Sequence, residues 1–448
     1  MNPIRAFSLK GKIVTAALRF LFFLVHLFKG KKWSRPRENF SEDPLHYTFS
    51  DAIYFGYKYY YKPHERYFDP YSSQKLNTLF VPPVVPSEAT VVSITAGGDL
   101  MPYEWIKKEY CTNLWDEVGA QFFSSDIVFA NLETPIDTTQ PLGLVPEVML
   151  NHMEFNGDKA MFDVFNGNGK FKGFDVLSVA NNHSFDKGEE GVIQTISFLQ
   201  SQNIHYCGTA TTGEEQDNFP ILERDGIKIA FLAYTYSLNH LELPLDKAYL
   251  CNHLPLNIVG CDLSLIKKQV LAAHQRGADF VIASVHYGNA YQLFPSDHII
   301  HNTHRLFDEC GVDMVFGGHA HNLQPIEYYH YTCPLTNLKK QGLATYCMGD
   351  FVAYDIFTWG HLPIWLKIEI AKINDRVVIK NVEVNPIYTY GIYINSRSRE
   401  LRFLDARKLW AKIEQAEETG LPFFNENEVR YLKTIYDKVF FNGPLQMK

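Results

Sequence analysis

The apolar positions of the chain follow two patterns from about residue 90 onward. Short apolar runs bounded by Gly, Asp or Asn are typical of buried strands, and apolar residues three or four apart are typical of amphipathic helices. The runs predict strands at 91–95, 126–130, 175–178, 228–234, 280–285, 313–316, 344–348, 364–370 and 377–384. The second pattern predicts helices at 103–123, 188–200, 262–274 and 297–309. This alternation predicts an α/β domain with helices outside the sheet.

The N-terminal residues follow neither pattern. Residues 13–28 form an apolar run with basic residues on both sides, and a helix here would place Lys12, Thr15, Arg19 and His26 on one polar stripe. The run is shorter than the about 20 residues that span a bilayer, so it predicts a helix lying in the membrane interface or a short uncleaved anchor. A peripheral helix packed on the fold is the alternative. The side of the membrane stays open because both flanks are basic.

These patterns divide the chain into four parts. Residues 1–35 form the membrane-associated segment, and residues 36–90 form an aromatic-rich extension that ends in a proline-rich linker. The main domain covers residues 91–390. The C-terminal appendage covers residues 391–448 and is expected to be helical from about 398 to 440. We expect the aromatic stretch within the extension, near residues 53–72, to pack against the main domain.

Composition narrows the classes of partner. The formal net charge is -8, so the chain has no basic excess with which to neutralise nucleic-acid phosphates, and we expect no nucleic-acid partner. The chain has 7 cysteines, which are scattered and form no C-x-x-C pair. This spacing predicts buried free thiols rather than a disulfide framework or a zinc ribbon.

Polar residues recur just past the carboxyl ends of the predicted strands. In an open α/β sheet these strand ends line the crevice where ligands bind, so the side chains are expected to meet. Each residue alone could be an ordinary polar group with satisfied hydrogen bonds, but five strand ends share the feature. The residues are Asp99, Asn131, Glu133, Asn182, His183, His286, His319 and His321.

Carboxylate, amide and imidazole groups together predict a site for one or two divalent metal ions, with Mn, Fe or Zn preferred. Glu133 could bridge two ions. A pair of ions roughly 3.5–4 Å apart would generate a nucleophile from water and hold the reacting oxygens.

The motifs GD, NLE, NNH-x-x-D-x-G, H-x-G and G-H-x-H occur in this order and resemble those of the CapA family, the capsule-synthesis proteins of poly-γ-glutamate. That family belongs to the calcineurin-like metallophosphatase superfamily. The resemblance covers about residues 91–355. It implies a metallophosphatase-like layered sandwich (α/β/β/α), to which the sequence adds the N-terminal membrane-associated helix and the C-terminal helical appendage.

The resemblance also implies roles for single residues. Asp99 and His321 would serve one metal site, and Glu133 would lie between the two sites. The other site would be formed by Asn182, His286 and His319. His183 would be the proton donor or transition-state stabiliser that faces the substrate. Asp186 would orient that imidazole and help it to hold a proton.

Three positions depart from the patterns of these relatives. Metallophosphatases generally have a D-x-H motif whose histidine is a second metal ligand, and this chain has Met101 at that position. The glutamate of the H-W-G-x-E-Y motif is replaced by Ala290, and Asp350 stands where asparagine is usual. The number of bound ions therefore stays open between one and two.

The resemblance implies a metal-dependent hydrolase or transferase in the biosynthesis, export or release of poly-γ-glutamate or a related anionic surface polymer. The substrate would be a phosphate ester or the anionic polymer itself. A non-catalytic, membrane-associated assembly factor that binds polymer-synthase subunits is the second hypothesis. A generic phosphoesterase of the same fold is the third.

Overall fold

The computed structural model describes residues 6–33, 36–61, 76–150, 153–393 and 399–440. Within these residues eight strands form a first sheet in the order β14-β13-β12-β1-β2-β3-β4, and β11 pairs with the end of β1. Their bounds are β1 Thr90–Leu100, β2 Ile127–Leu132, β3 Val176–Ser178, β4 His205–Cys207, β11 Asp350–Val352, β12 Ile364–Ile373, β13 Arg376–Tyr393 and β14 Arg399–Asp405.

Six strands of the described chain form a second sheet in the order β5-β6-β7-β8-β10-β9. Their bounds are β5 Ile221–Arg224, β6 Ile227–Thr235, β7 Phe280–His286, β8 Met314–Gly318, β9 Ile326–Thr332 and β10 Lys339–Thr345. The central strands of both sheets are parallel: β1 to β4 in the first sheet, and β6, β7, β8 and β10 in the second. Their carboxyl ends therefore point in one direction within each sheet.

The inner faces of the two sheets pack against each other. Phe129 of β2 stacks on Phe231 of β6, with ring centroids 5.9 Å apart, and lies 5.2 Å from the ring of Phe316 in β8. Alternate residues of the same strands, such as Val128 and Val281, belong to two further apolar clusters on the outer faces. The central strands thus bury both of their faces, which explains why they appear in the sequence as continuous apolar runs.

Helices cover the outer faces, so the predicted α/β/β/α order of layers is observed. The helices are α1 Leu9–Lys29, α2 Phe49–Tyr60, α3 Gly119–Phe122, α4 Lys159–Phe165, α5 Gly188–Ser201, α6 Ser264–Gln275, α7 Asp297–Arg305, α8 Ala406–Glu414 and α9 Glu426–Phe440. A π-helical turn, Leu306–Cys310, continues α7. Short 3-10 helices lie at Pro44–His46, Gly167–Gly169, Glu215–Asp217, Ala248–Leu250 and Thr358–His361.

The N-terminal helices pack on the main domain. Tyr54 and Tyr57 of α2 are fully buried, which confirms the expected packing of the aromatic stretch as far as residue 61; residues 62–72 lie outside the described chain. Helix α1 packs on α2, where His26 Nδ1 lies 2.8 Å from the Tyr57 hydroxyl. The predicted polar stripe of α1 therefore faces the protein in part, since Thr15 is buried and His26 is half-buried.

The opposite face of α1 is apolar and exposed. Ile13, Phe20 and Leu27 lie on it and are 61%, 64% and 61% exposed. Within the described residues, α1 is the helix long and apolar enough to cross a membrane, and 17% of its most apolar window is buried. Its 21 residues extend beyond the apolar run that the sequence shows, because the basic flanks are also helical.

Most predicted elements are confirmed to within a few residues, but the helix predicted at 103–123 is wrong. This segment forms a series of turns, and only Gly119–Phe122 is helical. The carbonyls of Tyr110 and Leu114 accept hydrogen bonds from the backbone of β14 at 2.8 and 2.9 Å, so they are not available to a helix. Tertiary contacts have overridden the local pattern here.

The prediction of an all-helical segment at 398–440 is wrong in its first part for the same reason. Residues Arg399–Asp405 form β14, which pairs antiparallel with β13 and also bonds to the turns near Tyr110. Helices α8 and α9 follow as predicted. The strand predicted at 344–348 lies earlier, as β10, because Lys339–Thr345 pairs with β9 along its whole length.

All 7 cysteines are buried free thiols, as the spacing predicted. Burial raises the pKa of Cys111 to about 12 and that of Cys251 to about 12. The thiols of Cys111 and Cys251 are therefore protonated and unreactive at neutral pH.

Candidate metal centre

The carboxyl ends of β1, β2, β3 and β7 bring four of the predicted site residues together. Asn131 Nδ2 donates to Asp99 Oδ1 at 2.8 Å and lies 3.3 Å from His286 Nδ1. His286 Nε2 donates to Asn182 Oδ1 at 2.8 Å. Asn182 comes from the turn after β3, so four strand ends of two sheets meet at one point.

Glu133 lies at the centre of this group. Its Oε1 atom is 3.5 Å from His286 Nε2, and the side chain is fully buried. Among the described residues, neither carboxylate oxygen of Glu133 has a hydrogen-bond partner. Burying a carboxylate that has no hydrogen-bond partner costs free energy unless a positive group lies beside it. Both oxygens are therefore suited to bind a cation.

Asp350 is a member of the site that sequence reasoning missed as a ligand. The Cα atoms of Asp99 and Asp350 are paired in the β1–β11 ladder, and Asp350 Oδ1 lies 2.9 Å from His321 Nδ1. The sequence does contain a sign of this ligand, because Asp350, like Asp99, directly follows a glycine and lies in a strand. The family pattern, which has asparagine here, hides the additional carboxylate that this chain provides.

Two groups of potential ligand atoms result among the described residues, and Asp99 belongs to both. One group contains Asp99, His321 and Asp350, and the other contains Asp99, Glu133 and His286. Within each group the ligand atoms lie within 4.8 Å of one another.

The loop after β8 holds its imidazoles in an unusual backbone conformation. His319 has φ of 84° and His321 has φ of 56°, in the left-handed region that non-glycine residues rarely occupy. The His319 backbone N–H donates to Asp99 Oδ2 at 3.1 Å. A Cβ atom on Gly318 would lie 2.7 Å from Asp99 Oδ1, so only glycine permits this close approach. Strain of this kind is typical of functional sites.

Burial and neighbouring charges shift the pKa values of the cluster. Burial, with the nearby Glu133 carboxylate, raises the pKa of Asp99 to about 7. Burial lowers the pKa of His286 to about 3, so this imidazole is neutral and able to bind a metal. Burial alone would lower the pKa of His321, but the carboxylates of Asp350, Glu133 and Asp99 raise it to about 10.

His319 is near the cluster but belongs to neither ligand group. Its Nε2 atom lies 2.9 Å from the Tyr236 hydroxyl and 3.8 Å from Glu42 Oε1. Its Nδ1 atom is buried and has no partner among the described residues. Burial lowers the pKa of His319 to about 4, so the ring is neutral at pH 7.

His183 and Asp186 form the pair that the sequence predicted. His183 Nδ1 lies 2.6 Å from Asp186 Oδ2, and the same oxygen accepts a hydrogen bond from the Phe155 backbone at 2.6 Å. The His183 ring stacks on the ring of Phe155 with centroids 3.6 Å apart. These contacts fix the orientation of the imidazole.

The N-terminal extension contributes a buried ion pair that sequence reasoning missed. Glu42 and Lys58 are fully buried and bonded to each other. Glu42 Oε1 accepts a hydrogen bond from the backbone N–H of Ala290 at 2.7 Å, and Lys58 Nζ donates to the Ala290 carbonyl at 3.0 Å. The extension thus places a carboxylate beside the position where the related motif has its glutamate. Glu42 and Ala290 lie 248 positions apart, so no local sequence pattern indicates their contact.

A cavity of about 460 Å³ adjoins the cluster. Asn182, His183, His319 and His321 line it, together with Met101. Its volume falls in the range of small-molecule sites. The residues that contact the cavity therefore include both imidazole and amide groups of the predicted centre.

The donor set fits divalent metal ions. Neutral imidazole, carboxylate and amide oxygens are ligands for Mn, Fe and Zn, and the unpartnered Glu133 oxygens lie among them. The residues that could hold such ions are Asp99, Glu133, Asn182, His286, His319, His321 and Asp350.

The family comparison agrees with the order of the motifs. Residues 93–355 match the family of bacterial capsule synthesis proteins PGA_cap, and the chain belongs to this family. It is 25% identical over 281 residues to the capsule biosynthesis protein CapA of Bacillus anthracis, which covers 61% of this chain and 62% of that protein. It is 24% identical over 269 residues to the PGA biosynthesis protein CapA of Bacillus subtilis, covering 58% of this chain and 63% of that protein. The chain thus spans less than two thirds of either relative.

A shorter match, 29% identical over 171 residues, joins the chain to a probable polyglutamine synthesis accessory protein of Mycobacterium tuberculosis, with 34% of this chain and 41% of that protein covered. Among solved structures, the calcineurin-like phosphoesterase YfkN of Bacillus subtilis aligns with a TM-score of 0.37 and 13% identity, covering 77% of this chain and 99% of that chain. The sulfate thiohydrolase SoxB of Thermus thermophilus aligns with a TM-score of 0.35 and 9% identity, covering 80% and 61%.

Proposed function

We propose that the protein is a metal-dependent hydrolase or transferase that acts on a phosphate ester or an anionic polymer during the synthesis, export or release of poly-γ-glutamate or a related surface polymer. The observation that supports this most directly is the fully buried carboxylate of Glu133, which has no hydrogen-bond partner in the described part of the chain and lies among imidazole and carboxylate groups beside a cavity. Membership of the capsule-synthesis family supports the polymer context.

One or two divalent ions, of Mn, Fe or Zn, would be held by Asp99, Glu133, Asn182, His286, His319, His321 and Asp350. When bound, such ions supply an activated water nucleophile and stabilise negative charge on the reacting oxygens. His319 would also orient the site through its backbone bond to Asp99 and its contact with Tyr236.

His183 would deliver a proton to the leaving group. Asp186 occupies Nδ1, so Nε2 is the ring nitrogen available to the substrate in the cavity. Stacking on Phe155 holds the ring plane in place. A positioned general acid of this type accelerates reactions by roughly 10²–10⁴-fold.

The protein would act at a membrane. Helix α1 presents an exposed apolar face while its other face packs on α2, which suits a helix that lies in or enters a bilayer. Polymer-synthase subunits are the expected protein partners at that surface.

The test combines metal analysis with a matched pair of variants. Purified protein is expected to contain at least one transition-metal ion per chain and to hydrolyse a generic phosphodiester. His183→Ala should reduce turnover by at least a hundredfold while metal content stays unchanged. His205→Ala, which changes an exposed histidine of β4, is the control and should leave both properties unchanged.

The second candidate function is a non-catalytic assembly factor, favoured by Met101 and Ala290, which stand where the related motifs have a metal ligand and a glutamate. It predicts polymer synthesis that does not depend on His183. If the His183→Ala protein supports polymer formation in cells as well as the parent chain does, the catalytic proposal is wrong.

A further inference from the structure

The cavity beside the metal-ligand cluster has walls of two different kinds. His183, His319 and His321 line part of it. Another part of its wall, here called the apolar end, comes from α1 and α2 and includes Leu18, Phe22 and Phe55. A substrate that fills this cavity must therefore combine a polar head with an apolar portion.

The apolar end is built from the same helix that presents the exposed apolar face. Leu18 and Phe22 lie on the inner face of α1, and Phe20 and Leu27 lie on its outer face. The loop near Met149 and Leu150 also lines the cavity, beside α1 and α2, and Leu150 is 59% exposed. This loop is tethered to both helices, because Glu147 accepts hydrogen bonds from the Ser8 backbone and hydroxyl at 2.7 and 2.6 Å and Tyr60 bonds to the Met149 carbonyl.

We propose that the cavity binds an amphiphilic phosphate ester, with its phosphate against the metal-ligand cluster and its hydrocarbon chain between α1, α2 and the Met149–Leu150 loop. The proposal rests on the proposed function for the identity of the head group. It adds that the substrate is lipid-linked and approaches along the face of α1. An apolar chain gains free energy by leaving water for this wall, whereas a fully hydrated polymer gains nothing there.

The experiment measures binding and turnover separately. The full chain, loaded with Mn²⁺ and held in lipid nanodiscs, is titrated calorimetrically with ethyl, butyl, hexyl and octyl phosphate. The His183→Ala background prevents turnover during the titration. The dissociation constant should fall roughly threefold to fourfold for each methylene that enters the cavity.

Two variants of residues that line the cavity distinguish binding in the cavity from general partition of the alkyl phosphate into the nanodisc. Ala52→Trp fills the apolar end from an exposed position of α2 and should weaken octyl phosphate at least tenfold while ethyl phosphate binds as before. Ser50→Trp adds the same side chain to the same helix outside the cavity and is the control. Leu150→Asp, which places a charge in the path of the chain, should act like Ala52→Trp.

The outcomes are distinct. Binding that is independent of chain length, or that responds equally to Ala52→Trp and Ser50→Trp, overturns the proposal while the hydrolase proposal stands. Tighter binding of oligo-γ-glutamate than of octyl phosphate, unaffected by Ala52→Trp, also overturns it. Chain-length-dependent binding, together with no turnover of any ester by the Mn²⁺-loaded parent chain, supports the amphiphilic site and removes the hydrolase proposal.

Discussion

Asp350 adds a carboxylate to one of the two ligand groups of the candidate metal centre. Its carboxylate lies 2.9 Å from His321 Nδ1 and in the ligand group that also contains Asp99. We predict that Asp350→Asn weakens metal binding roughly tenfold to a hundredfold, because the amide removes a negative charge and the orienting bond to His321. Asp355→Asn changes another buried carboxyl outside both ligand groups and is the control. Calorimetric titration of metal-free protein measures the effect, and equal affinities of the two variants would contradict the prediction.

Proton release on metal binding is a second prediction at the scale of the residue. The pKa of Asp99 is raised to about 7 and that of His321 to about 10, so below pH 7 the metal-free site holds a proton on each. Ions compete with these protons, and affinity should therefore rise with pH. More than one proton should be released at pH 6, because burial also raises the pKa of Glu133, and the contribution of Asp99 is lost as pH rises through 7.

Calorimetry in buffers of different ionisation enthalpy counts the released protons. Binding that releases no proton at pH 6 would show that these two side chains are not ligands.

At the scale of secondary-structure elements, the buried Glu42–Lys58 pair holds the N-terminal extension on the main domain. Burial alone would raise the pKa of Glu42, but the charge of Lys58 and the contact with His319 lower it below the usual value. Glu42→Gln would leave the Lys58 charge buried without its partner, so we predict a loss of about 3–5 kcal/mol in the free energy of unfolding. The double change Glu42→Leu with Lys58→Met should recover most of this loss. Denaturant unfolding of the three proteins tests the prediction, which fails if the double variant is the least stable.

The exposed face of α1 leads to a prediction about membranes. Phe20 and Leu27 contact solvent in the folded chain, so replacing both with serine should leave the thermal stability unchanged and reduce co-sedimentation with lipid vesicles at least tenfold. Val84 and Leu245, which are 95% and 103% exposed, provide the control when both are changed to serine. Equal loss of sedimentation in both proteins would mean that α1 is not the attachment point.

Elements that follow a local pattern were predictable from the sequence, and those set by distant partners were not. The parallel strands bury both faces and so appear as apolar runs, which also located Asp99, Glu133 and His286 at their carboxyl ends. The turns at 103–118 have the composition of a helix, but β14 occupies their carbonyls. The contribution of Glu42 depends on a bond to Ala290, which lies 248 positions away. No periodicity encodes a contact of that kind.

At the scale of the whole molecule, α2 and the segment before it belong to the core rather than to a separable anchor. We predict that a chain starting at Pro36, which keeps Glu42 and α2, still unfolds cooperatively. A chain starting at Leu76 lacks Tyr54, Tyr57 and the carboxylate of Glu42 that bonds to Ala290. Its melting temperature should be at least 10 °C below that of the chain starting at Pro36, because the burial of these side chains stabilises the fold by several kcal/mol. Thermal unfolding followed by circular dichroism measures the difference, and equal melting temperatures would contradict the prediction.

The candidate site draws on residues from Glu42 to Asp350, about 300 positions apart along the chain. A ribosome adding roughly 5–20 residues per second takes roughly 15–60 s to make that stretch. Asp99 and Glu133 emerge early in this interval, while His286, His321 and Asp350 emerge late. The nascent chain therefore cannot retain an ion through this cluster during most of its own translation. Metal loading has to follow synthesis of the domain, when α1 has already left the ribosome.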